Sequence, residues 1–408
     1  MKNQVVITGI GLLSGLGEGG DVHWQKLTTE GPSPAEWPVV DAEKFAPYPV
    51  HPLGEVDFST QVPKKGDLRQ MEPWQRIGTF TAGLALADAG IAGLPEFLDQ
   101  THLIVAAGSG ERDTITDMKV LETISAREDR EVRANEILPS NLRPTLFLAQ
   151  LSNLLAGNIS IVHKVTASSR TFMGEEMAGV AAMETATRRI EAGQGELFLV
   201  GGAFNSERPD ALLNCELGGM LAHGPFQPVW QRAGKGNEAG FAAASIGSFL
   251  VLEERSHAEK RGAKIYAEIS SVQSDRCNRK DGAAARNASK QFAAITNDLA
   301  EAPLAILSGA SGAEPATSEE LSFLKSLDQP DRPATFRAYG TALGHGVEAH
   351  FPLGIALAAL ALSNGQFPPP LDQSGNEREY DGPLENIIVT GWGHWRGEAL
   401  ALVSKAVA

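Results

Sequence analysis

Cysteine is scarce: the 408 residues contain two, Cys215 and Cys277. Two thiols cannot build a disulfide framework in a chain this long, so the sequence fits a reducing cytoplasm, with both cysteines expected as packing residues. Basic residues are also in deficit, 35 Lys and Arg against 50 Asp and Glu, for a net charge of −15. An acidic chain repels phosphate backbones, which argues against nucleic-acid binding. Long apolar runs are missing too. The longest apolar helical stretch, residues 351–362, is too short to span a bilayer. The N-terminal "MKNQVVITGIGLL" has one Lys and a short apolar run holding Thr8 and Gly9, so it reads as a buried first strand and not as a signal peptide.

What is present points to a globular α/β protein. Apolar residues make up 42% of the chain, enough for one large core or two packed halves. Residues 5–7 are a β-branched run followed by "TGIG", which reads as a turn. Residues 31–66 hold most of the early prolines and no clean periodicity, and are expected to be an irregular excursion. Residues 74–91, "WQRIGTFTAGLALADAGI", have helical spacing that stops at Gly90. "THLIVAAGSG" reads as a strand entering a Gly-rich turn, and "ELFLVGGAF" and "GSFLVLEE" as buried central strands. The second half repeats the logic. The strand "LAIL" leads to a Gly/Ser turn, a helix from Ser318, the apolar helix at 351–362 and the final strands "ENIIVTGWG" and "ALALVSKA". Strands and helices alternate throughout, the pattern of layered sheets covered by helices.

Five segments, in order, are similar to β-ketoacyl-ACP synthases, the condensing enzymes of fatty-acid and polyketide synthesis: "VVITGIGLLSGLG", "RQMEPWQRIGTFTAGLALADAGI", "AGQGELFLVGG", "GSFLVLEERSHAEKRGAKIYAEI" and "ALSNGQFPPPLD". The resemblance covers nearly the whole chain. It implies the thiolase fold, two similar halves in a five-layered α-β-α-β-α arrangement, with residues 1–255 as the first half (an irregular insertion at about 31–70) and 256–408 as the second. It also implies a dimer, with the strand at residues 196–202 pairing across the two-fold axis. Its chemistry needs a Cys nucleophile at a helix N-terminus, where the dipole lowers the thiol pKa, and two His that decarboxylate the malonyl extender. No metal and no small cofactor are implied. The acyl carrier protein brings substrate on its phosphopantetheine arm.

"TASS", residues 166–169, invites Ser168 as a substitute nucleophile, but register points elsewhere. The family's "I-S-I", taken as a strand, matches Ile159–Ile161, and counting forward by the family spacing reaches Glu176. Counting back from Gly201–Gly202 reaches Glu176 again. Ser168 and Ser169 are then ordinary turn polarity. The first His position falls on Ser308 or Ser311, depending on register. The second falls on His345, while Gly340 stands at the place of the family's Lys. His350 and His394 match no role. At the C-terminal turn "GWGHWRG", Gly391, Trp392 and Gly393 are expected at the mouth of the substrate pocket. Loss of nucleophile, first His and Lys together removes parts that act as one unit. The pattern resembles chain-length factors, silent homologues that pair with an active ketosynthase as a heterodimer. Those usually carry Gln at the Cys place, so Glu176 departs from them. Two other readings are an enzyme of altered chemistry, through malonyl-ACP decarboxylation or Ser-based acyl transfer, and a scaffold homodimer.

Overall fold

β1, Val5–Ser14, continues through the "TGIG" that the sequence suggests is a turn, with one register shift between Ile7 and Gly9. The two glycines are there for contact with a helix. α1, Pro73–Asp88, lies so close that a Cβ on Gly9 would sit 2.4 Å from Ala85 O, and one on Gly11 2.1 Å from Thr81 O. The computed structural model describes residues 2–28, 40–41, 43–125, 128–142, 146–236, 239–297, 299 and 302–406. Residues 31–39 of the expected irregular insertion lie outside these. From residue 40 to 70 the described chain holds the short strand Val50–His51, the single turn Phe58–Thr60 and the helix Lys65–Gln70.

α1 starts on a capping box, in which Glu72 and Gln75 satisfy each other's backbone N–H groups, with Pro73 at its first position. It stops at Asp88 because Gly90 turns left-handed, φ 70°. The first half continues with β2 (His102–Ala107), α2 (Thr114–Ile124), α3 (Arg130–Asn141), α4 (Leu154–His163), β3 (Ser169–Met173), α5 (Glu176–Glu191), β4 (Leu197–Phe204) and β5 (Ile246–Glu254). Ile159–Ile161 therefore belongs to a helix and not to a strand. Leu155, Ala156 and Ile159 are buried, at helical spacing, and α4 packs on α1. The second half supplies β6 (Ala267–Asp275), α6 (Ala283–Thr296), β7 (Leu304–Ser308), α7 (Ala316–Ser326), β8 (Ala334–Ala338), α8 (His350–Asn364), β9 (Asn386–Trp392) and β10 (Glu398–Ser404).

Pairing order shows an internal repeat that the sequence hints at only faintly. The first half reads β1-β5-β4-β2-β3 and the second β6-β10-β9-β7-β8. In both, the first two ladders are antiparallel and the last two parallel. β1 and β6 join the sheets over two residue pairs, Val6–Glu268 and Ile7–Ala267. α5 and α8 lie between the sheets and touch strands of both. α1 and α4 cover the first sheet, and α6 and α7 the second. This is the five-layered thiolase fold. With the turn before it, α8 extends over Val347–Asn364, 18 residues, long and apolar enough to cross a bilayer, against the expectation from residues 351–362 alone; 89% of it is buried in the protein, as a core helix. β4, expected to pair across a two-fold axis, is not free to do so, since β2 occupies one edge and β5 the other. The strand with an open edge in this half is β3.

Candidate functional site

The two central helices meet at the site. Gly174, at φ 149°, turns the chain from β3 into α5, and Glu176 is the first residue of that helix. Its carboxylate is buried. His345 Nε2 donates to Glu176 Oε1 at 3.1 Å, and the His394 backbone N–H approaches Oε2 at 3.4 Å. Burial alone would raise this carboxyl. The His345 hydrogen bond and charge, with backbone N–H donors, outweigh it and hold Glu176 below the ordinary carboxylate range. The positive end of the helix dipole favours the same ionised form.

His345 is anchored by its backbone, whose N–H donates to Ala242 O and whose carbonyl accepts from Ala244 N–H. Its ring lies 4.3 Å from that of His350 and 4.7 Å from Phe241. His350, at the start of α8, is fully enclosed, and burial, followed by the charge of His345, drives its pKa well below the usual imidazole value. A 3-10 turn, Val347–Ala349, separates the two histidines and carries Glu348. Sequence reasoning gave no role to His350, His394 or Glu348. The one available signal was two His five residues apart around a Glu at a helix start.

The remaining expected positions separate. Ser308 ends β7 and donates to buried Glu320 at 2.6 Å, where Thr390 also donates. Burial pushes Glu320 up to about 7. Ser311 accepts from Ala313 N–H in the same loop. A Cβ on Gly340 would meet Ala310 O at 3.2 Å and the His350 ring at 3.7 Å, so this loop, Gly340 and His350 are neighbours. Ser168 lies at the opposite end of β3 from Glu176, bonded to His102 Nδ1 at 2.7 Å on the surface, and Ser169 opens the strand. Cys215 is near the site in space, because α5 and the helix Pro209–Leu217 face one cavity of about 430 Å³. Burial, then the charges of Glu176 and Glu348, push its thiol up to about 12, so it stays protonated and poorly nucleophilic. Cys277 packs against Glu398 instead.

The pocket mouth is corrected. Trp392 is buried in the second half, where its Nε1 donates to Glu319 and its ring packs on Phe323. Gly391 packs under Phe351, and the Gly393 N–H donates to Gly397 O, closing the turn. That turn throws Trp395 outward, 53% exposed, and Trp395 lines both this cavity and a second of about 420 Å³ across Glu176. Arg276, Arg396 and Gly397 line the second cavity. Among the described residues no group of three His, Cys, Asp or Glu side chains could hold a metal ion.

A two-fold repeated sheet with central helices, and a site at the N-terminus of one of them, define a thiolase-fold protein of the ketosynthase type. Residues 2–258 match the family model of the β-ketoacyl synthase N-terminal domain. The chain belongs to the β-ketoacyl synthase family. It is similar to 3-oxoacyl-[acyl-carrier-protein] synthase 2 of Rhizobium meliloti (strain 1021), 29% identical over 286 residues, 65% of this chain and 62% of that protein. The match thus spans less than two thirds of that relative. A match to the oxytetracycline polyketide β-ketoacyl synthase 1 of Streptomyces rimosus, 25% identical over 392 residues, covers 93% of this chain and 88% of that one. The solved ishigamide ketosynthase/chain length factor shares the fold over the full length of both chains, with a TM-score of 0.79 at 18% identity.

Proposed function

We propose that this chain is a catalytically silent, chain-length-factor-like subunit that pairs with an active ketosynthase in fatty-acid or polyketide elongation, in the cytoplasm, on substrates carried by an acyl carrier protein. The observation that carries the reading is Glu176. An ionised carboxylate, held by His345 at the N-terminus of α5, occupies the nucleophile register and cannot form a thioester. Ser308, Ser311 and Gly340 supply neither a second imidazole nor an amine near His350. The division into halves at about residue 255 is part of this reading. The open edge of β3 and the outward Met173, 72% exposed, support a partner on that side, and the exposed Ile115, Met118 and Leu121 of α2 offer further apolar surface. The relatives' printed names, an acyl-carrier-protein synthase and a ketosynthase/chain length factor, favour the same carrier and partner.

The test is intact-mass measurement after incubation with acyl-ACP and malonyl-ACP. The expected result is no acyl adduct and no loss of CO2 from malonyl-ACP by the chain alone, with condensation only when an active ketosynthase is co-expressed. A stoichiometric adduct, or malonyl decarboxylation by the chain alone, would replace this reading with one of altered chemistry. A stable homodimer that ignores the candidate partner in native mass spectrometry would instead favour a scaffold.

A further inference from the structure

Glu348 enters the 430 Å³ cavity from a backbone that has no slack. Its carbonyl oxygen lies 2.4 Å from where a Cβ on Gly179 would be, and 3.2 Å from one on Gly202. Val347, just before it, is held at φ 42°, a left-handed conformation that costs a β-branched residue dearly. The turn sets the carboxyl against Gly108, where a Cβ would be 2.1 Å from Glu348 Oε1. The residue is 5% exposed, and its Oε2 has no hydrogen-bond partner among the described residues. Arg208, the nearby cation, is engaged by Asp210 and the carbonyls of Ser109 and Gly110. The cavity that Glu348 enters has an apolar wall from Phe204, Met220, Phe241, Val347 and Trp395, with Ser109, Glu175, Glu176 and Asn214 as its polar lining. A buried polar atom left unpaired is costly unless a ligand supplies the partner.

Burial, and then the neighbouring charge of Glu176, push the Glu348 carboxyl up to about 8, so near neutral pH it offers an O–H donor. We propose that this cavity takes an acyl chain bearing a carbonyl oxygen along its length, that Glu348 donates a hydrogen bond to that oxygen, and that Glu348 thereby selects keto chains over saturated ones of equal length. The inference rests on the silent-subunit reading, in which the cavity helps shape an acyl pocket. A site built around a buried donor discriminates strongly against a chain that leaves it unpaired.

The probes are N-acetylcysteamine thioesters of dodecanoic acid and of its 3-, 5- and 7-oxo derivatives, titrated calorimetrically into the full chain co-purified with its partner. At least one oxo isomer should bind about tenfold tighter than the saturated probe. E348L should abolish the preference, and E348Q, which can still donate, should keep it to within about threefold. A measurement without a variant stands beside these: the 13C-labelled ketone carbon of the bound probe should move downfield from its value in hexane. Equal binding of oxo and saturated probes, a preference that survives E348L, no binding of any probe, or an unshifted ketone resonance would each overturn the proposal. The selectivity is read on the assembled complex, whereas acylation of this chain and its pairing are read separately by intact and native mass measurement, so the selectivity can fail while the silent-subunit reading stands.

Discussion

Glu176 meets two requirements that usually conflict: it is charged and it is buried. Among the described residues His345 is its only side-chain partner, and the rest of its satisfaction comes from backbone N–H groups. A Gln there keeps the shape and most of the acceptor capacity while removing the charge. Glu176→Gln should support a partner's condensation within about threefold of the wild-type rate, because the proposed role is to fill and order the helix start. Glu176→Ala leaves a small cavity and orphaned donors, and should destabilise the protein by about 1–3 kcal/mol. Thermal melts beside a reconstituted elongation assay read both. If Glu176→Gln melts normally and loses product a hundredfold, the carboxylate has a chemical role and the silent reading is wrong.

On the proposed pairing, the element that decides assembly is β3. Among the described residues it pairs with β2 on one side only, and the Leu103 N–H donates to Ser168 O at 2.9 Å. That register points the Arg170 and Phe172 N–H groups inward, toward β2, and those of Ser169, Thr171 and Met173 toward the open edge. Proline at 171 removes an outward donor while sparing the internal ladder. Thr171→Pro should therefore leave the isolated chain's melting temperature nearly unchanged and weaken partner binding by about tenfold or more, read by analytical ultracentrifugation. Undiminished binding would move the interface off this edge. The sequence had suggested β4 for this role, because a continuous apolar run does not say whether a strand is central or at a dimer edge. The same limit explains "TGIG": glycine codes equally for a turn and for a strand pressed against a helix, and only the packing of α1 decides. In α4 the composition of "ISI" is that of a strand, while the burial follows the 3.6-residue period of a helix. Ungapped counting lands on the first residue of α5, even though its upstream anchor at residues 159–161 is helix and not strand. Trp395 lines the cavities where Trp392 was expected, because the Gly393–Gly397 closure is a tertiary fact. Glu348 carried no motif at all.

Across the whole molecule, several buried ionisable groups act together on stability. Burial pushes the carboxyls of Glu320, Glu348 and Glu377 up to about 7, 8 and 7. Each holds its proton in the folded state above pH 4.5, where the unfolded chain releases it, so each contributes stability that is lost as pH rises through 7 to 8. Two buried histidines pull the other way. Burial lowers His23 to about 4 and His51 to about 3. The unfolded chain then binds more protons between those values and about 6.5, and stability rises with pH over that range. Between pH 4.5 and 6.5 the two groups of residues oppose each other. Above 6.5 the histidines are neutral in both states, and the carboxyls act alone. At fixed ionic strength, the melting temperature should therefore fall from pH 6.5 to 8.5. Glu320→Gln, Glu348→Gln and Glu377→Gln should each flatten that slope, since an amide cannot ionise. A melting temperature that is level or rises over this window would mean these carboxyls are ionised in the folded protein, and the donor role assigned to Glu348 would fail with it.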